Sequence, residues 1–123
     1  MSTVPFQYVV LRCVPRVDRE EFLNVGVVLY SQAADYLSCA SQLDEVRLLA
    51  FAPDLDLGSV RSALAAVAAV CAGRGPSGST SLGQRFGWLA APKSTTIQPG
   101  PVHGGLAEDP AIELAHLVDM LVR

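Results

Sequence analysis

Residues 91–105 read APKSTTIQPGPVHGG and concentrate groups that hold anions. Lys93 offers a point charge, and Ser94, Thr95 and Thr96 offer hydroxyl donors. Gly104 and Gly105 can expose backbone N–H groups, which together with such side chains bind phosphate or carboxylate. The spacing does not specialise the stretch. Neither the Walker pattern nor G-x-G-x-x-G is present, and Ser and Thr also favour turns and edge strands for local reasons. The wider window 73–107 holds Arg74, Arg85 and Lys93 and no acid, inside a chain of net charge −3. It is the one positive segment of an acidic protein.

A second polar cluster lies in REEFLNVGVVL, residues 19–29. Arg19, Glu21 and Asn24 stand where a charged turn enters an apolar strand. Asn24 between Leu23 and Val25 is a buried-type position for an amide, which needs hydrogen-bond partners there. Gly26 within a strand marks a bulge or a close backbone approach. One reading is a polar site at the mouth of the strand. The other is structural, with Asn24 tying down the loop and Arg19 pairing with Glu21.

Catalytic sets do not assemble from the sequence. Glu20 and Glu21 are adjacent, so on a strand they point to opposite faces and make no acid/base pair. His103 stands in a loop between Pro101 and Gly104, and His116 falls on the solvated side of the last helix. Neither has metal-ligand spacing. Ser94 lacks the nucleophile elbow, and no cysteine has an adjacent base. Cys13, Cys39 and Cys71 are odd in number, far apart and outside any C-x-x-C pair. They read as small buried hydrophobes in a reducing cytoplasm rather than as a disulfide framework or zinc site. No cofactor or metal is expected.

The elements that must carry these residues can be read from periodicity. With 123 residues, half of them hydrophobic and 17% charged, the chain suits one packed domain. The apolar run 64–72 is far too short to span a membrane, and the N-terminus lacks secretory-signal features. The acidic balance argues against a general nucleic-acid binder.

Residues 6–14 and 22–30 read as strands, the second apolar on both faces like a central strand. Residues 36–42 make a third. Residues 44–51 suit a short helix capped by Asp44. Residues 56–72 form the clearest helix, capped by Asp56 and stopped by Gly73, with Leu57, Val60, Leu64, Val67 and Cys71 as its apolar stripe. After a turn at 73–78, residues 80–90 form a helix on which Arg85 and Trp88 share a face. Gly83 and Gly87 leave a shallow place for close approach. Residues 95–98 form a short strand, 99–109 a long loop, and 110–122 the final helix. The fold expected is a single α+β domain: an antiparallel sheet of three strands plus a short fourth, packed with three main helices.

Four segments carry a family resemblance: Tyr8 to Arg12 (YVVLR), Arg19 to Val27 (REEFLNVGV), Arg85 to Ser94 (RFGWLAAPKS) and Gln98 to Gly105 (QPGPVHGG). With them the chain resembles the bacterial domain of unknown function 3037 family along nearly its whole length. Glu20 stands where that pattern leads one to expect a small residue or glycine. The resemblance implies a small cytoplasmic bacterial protein of no established activity. It also implies a HipA-like kinase as partner, because members are often encoded beside one, and it carries over no catalytic residues.

The expectation is therefore a non-catalytic binding or regulatory protein. Its surface would join Arg19, Glu21 and Asn24 to Arg85, Trp88, Lys93, Thr95, Gln98 and His103, with Trp and Arg as frequent interface anchors. The alternative is a small enzyme or a nucleotide- or phosphate-binding subunit using the positive 73–107 window, which requires Arg85, Lys93 and His103 to converge in one pocket.

Overall fold

The computed structural model describes residues 2–123. Strand β1 (Val4–Cys13) is the hub of the sheet. Its odd positions Val9, Leu11 and Cys13 enter one core, while Phe6 and Tyr8 face another, as the two-residue period of a strand requires. Antiparallel neighbours β2 (Leu23–Ser31) and β3 (Tyr36–Ser41) lie to one side. On the other side β4 (Ile97–Pro99) pairs with Leu11–Cys13, and β5 (His103–Ala107) pairs with Val4–Tyr8. Together β4 and β5 form an interrupted edge, and Pro99 and Pro101 are tolerated there because an edge strand can spare N–H donors.

The expected α+β class and antiparallel sheet are present, with five strands in place of three plus one. The extra strand, β5, falls inside 99–109, expected as a loop, and it carries His103. Its sequence HGGLA has poor strand propensity. Tertiary pairing overrides that, because without β5 the first half of β1 would be an open edge.

Four helices cover the sheet unequally. The helices α1 (Glu45–Phe51), α2 (Leu57–Ala72) and α3 (Leu82–Ala90) supply Leu48, Val60, Leu64, Cys71, Phe86 and Leu89 to the first core. On the opposite face α4 (Pro110–Leu121) packs Leu114 and Leu117 against Val27 and Leu29. The expected caps form: Asp44 accepts from Arg47 N at 3.0 Å and Asp56 from Ser59 N at 3.2 Å. Gly73 ends α2 at φ 71°, a left-handed conformation that favours glycine. No helix among the described residues is long and apolar enough to cross a membrane.

A bulge interrupts β2. Leu11 pairs with Gly26 but Arg12 pairs with Asn24, so Val25 is an extra residue. The strand's alternation therefore reverses. Val25 joins the α1–α3 core, whereas Val27 and Leu29 join the α4 core. The two-residue alternation of a strand holds only on either side of this point.

Candidate functional site

The bulge aligns three polar residues across the sheet. Asn24, Arg12 and Gln98 are register partners on β2, β1 and β4, on the face that α4 partly covers. Helix α4 lies mainly over β2 and β3 and only lightly over β1. Asn24 falls beneath it, and its Nδ2 donates to Leu121 O at 3.1 Å. Arg12 and Gln98 fall beyond it, on the open half of the face.

Arg12 is held with little freedom. Its guanidinium carbon lies 4.2 Å from the centroid of the Phe22 ring, a cation–π contact. Gly100 is needed for close approach to the same group. A Cβ there would stand 3.2 Å from Cζ, Nε and Nη2 alike, a position above the guanidinium plane. The Gly100 approach is thus to a face of the group and not to its edge. Arg12 Nε is buried and has no hydrogen-bond partner among the described residues. A buried charged donor in that condition costs more than a neutral one.

Arg12 lines a cleft of about 500 Å³ with Val14, Val17, Glu20, Phe22, Lys93, Ser94 and Gln98. The β1–β2 loop builds one wall and the segment after α3 the other. The two stretches singled out in the sequence do meet, through different residues than expected on the REEF side. Lys93 Nζ donates to Trp88 O at 2.5 Å and to Ala91 O at 3.0 Å. It closes the C-terminus of α3 and keeps one of its three donors for other use. Burial lowers the Lys93 pKa, since desolvation disfavours the ammonium. Gln98 Nε2 donates to Thr95 O. Glu20 takes φ 57°, which accounts for the small residue or glycine expected there.

The other expected site residues divide by fate. Arg19 and Glu21 pair with each other and line a neighbouring cleft of about 380 Å³ with Arg16, Phe51 and Asp56. Its charges are largely satisfied among themselves: Arg16 holds Asp18 at 2.6 Å and Asp56 caps α2. The basic cleft has no such closure, so it is the stronger candidate despite being the more polar of the two.

Asn24 and Arg85 leave the site altogether. Arg85 is buried, and its guanidinium donates to Val70 O, Cys71 O and Thr80 O at 3.0–3.1 Å. It satisfies the carbonyl end of α2, which a cation at a helix C-terminus does well. Arg85 and Trp88 do not share a face: the first is buried and the second exposed. Thr95 donates to Ile97 O within its own turn. His103 packs at a tilt against Tyr8, 5.3 Å between centroids, four residues along β1 from Arg12 and on the same face. Arg85, Lys93 and His103 thus occupy three separate places, and the single phosphate pocket required by the alternative reading does not form. Gly83 does receive a close approach, from the Tyr30 hydroxyl.

Two functional residues escaped the sequence reading. Arg12 carried a signal, a charge inside the apolar run VVLRCV, where such a residue needs pairing. Phe22 carried none, because its contact depends on the bulge. The thiols of Cys39 and Cys71 also meet. Their hydrogen bond lowers the pKa of Cys39 and raises that of Cys71. No group of three or more His, Cys, Asp or Glu side chains among the described residues is placed to hold a metal ion.

Sheet, helices and cleft define an α+β domain that opens a basic, aromatic-backed cleft at the uncovered edge of its sheet. The chain belongs to the family described as Protein of unknown function (DUF3037), whose model matches residues 8–122. No curated protein and no solved structure matches it.

Proposed function

We propose that the protein is a non-catalytic recognition module of the bacterial cytoplasm that docks another protein on the open half of its α4-side sheet face. The observation that carries this is Arg12: a guanidinium fixed by Phe22 and Gly100, with a donor unsatisfied, in a cleft walled by both family-typical stretches. Exposed Val17 and Phe22 supply apolar contact beside it, and mixed aromatic, apolar and Arg surfaces are those on which protein interfaces concentrate binding energy.

The partner that the family resemblance implies is a HipA-like kinase. The test is co-elution on gel filtration with the HipA-like kinase encoded in the same genome. The native chain is expected to co-elute, and Val17→Asp, an exposed change on the cleft wall, to abolish it. Recovery of neither that kinase nor any other specific partner from the native host would reject the proposal.

A further inference from the structure

We infer that the basic cleft is a carboxylate site, taking one Asp or Glu side chain of an acidic segment in the docked partner. The inference rests on the docking reading above and adds the chemistry of its anchor. Three observations carry it.

The first is geometric. Gly100 approaches a face of the Arg12 guanidinium and Phe22 holds the group by a cation–π contact. Nε is buried, so the coplanar Nη1 and Nη2 donors form the edge that matches the two coplanar oxygens of a carboxylate. The second is donor accounting. Lys93 has given two hydrogen bonds to backbone carbonyls, so it adds one more donor. Ser94 adds a hydroxyl to the same wall.

The third is charge. The cleft holds Arg12 and Lys93 against Glu20, a net of one positive charge. A carboxylate closes that balance. A phosphate dianion would overshoot it with Glu20 still nearby. Glu20 is also free to accept from a backbone N–H of the same incoming segment, which favours a peptide over a free oxyanion.

The experiment is an NMR titration of the full chain, following the Arg12 Nε–H resonance, with acetylated and amidated tetraglutamate as the probe. Tetraglutamine of the same length and inorganic phosphate are the comparisons. Tetraglutamate is expected to move the resonance saturably, with tetraglutamine inert and phosphate weaker. Lys93→Gln, on an exposed side chain, should weaken binding about fivefold or more by removing one charged donor. Arg12→Lys should weaken it about tenfold or more, because an ammonium keeps the charge but loses the planar fork.

No saturable shift with tetraglutamate overturns the inference. So does phosphate binding more tightly than the peptide, or Lys93→Gln leaving affinity unchanged. The docking reading fails separately. Kinase co-elution that survives Lys93→Gln, with no peptide binding, removes the carboxylate site alone. Peptide binding at Arg12 without any partner supports the site and removes the docking.

Discussion

Replacing Arg85 by leucine should destabilise the domain and leave ligand binding almost untouched. The buried guanidinium donates to three backbone carbonyls, Val70 and Cys71 at the end of α2 and Thr80 before α3. Hydrogen bonds from a charged group each contribute about 1.5–3 kcal/mol, and losing the donor strands its acceptors. These three share one guanidinium, and Val70 O also accepts from Gly73 N, so their losses overlap and total about 3 kcal/mol. For 123 residues the unfolding entropy near 60 °C is about 0.26 kcal/mol/K. The midpoint of thermal unfolding should therefore fall by about 12 °C. Arg85→Lys should recover about half of that, since an ammonium reaches fewer of the carbonyls.

The assay is far-UV circular dichroism on heating, paired with the tetraglutamate titration at a temperature where both variants are folded. A midpoint lowered by less than about 4 °C, well under the overlap-corrected loss, would contradict the reading. An unchanged midpoint with lost peptide binding would return Arg85 to the recognition surface.

Glu20→Gly should stabilise the protein by about 0.5 kcal/mol, the ~1 kcal/mol relief of a left-handed residue less the extra freedom of unfolded glycine; a lowered unfolding midpoint would count against the φ of 57°. Cys39 should alkylate with iodoacetamide ahead of Cys13 and Cys71. Its pKa is lowered by the hydrogen bond with Cys71, while Cys71 is raised by that same bond and Cys13 by burial; peptide mass mapping that finds Cys71 or Cys13 modified first refutes the pairing. Hydrogen bonds from Ser59 hold the Asp56 carboxyl below its ordinary value of 3.8. A depressed folded value stabilises the protein above the ordinary pKa, and that contribution is lost as pH falls through the folded value. The stability gap between the native chain and Asp56→Asn should shrink on acidification below 3.8, and a gap constant with pH would show that Asp56 does not titrate in this way.

Much of the fold was legible because it depends on near neighbours in sequence. The caps Asp44 and Asp56, the glycine stop of α2, and the first three strands are local arrangements, and each stands within two residues of its expected place. What was not legible depends on distant pairing. Strand β5 hides in a glycine- and proline-rich segment, yet its glycines serve the pairing. A Cβ at Gly105 would lie 2.8 Å from the Phe6 ring, so a residue of ordinary strand propensity would not fit there. Arg85 was expected on an exposed helix face and Asn24 at a buried position in need of partners, and only packing reveals that these partners include helix-terminal carbonyls. Cys39 and Cys71 become neighbours through the packing of α2 on β3, which no spacing rule encodes.

The bulge at Val25 ties these levels together. In an unbroken ladder Arg12 would face Val25, and Asn24 would point into the α1–α3 core beside Cys13. The extra residue turns Val25 into that core, where it is 1% exposed, and turns Asn24 to the α4 side. Phe22, two residues before Asn24, then lies on the same face as Arg12 and reaches its guanidinium. One inserted residue thus serves burial and recognition together. It fills the apolar core, fastens α4 over β2, and brings an aromatic ring to the cation at the uncovered edge. Closing the bulge by sliding the start of β2 one residue, so that Val25 faced Arg12, would dismantle the cleft, which is why the open face at Arg12 is a built feature of this sheet rather than a gap left by a short helix.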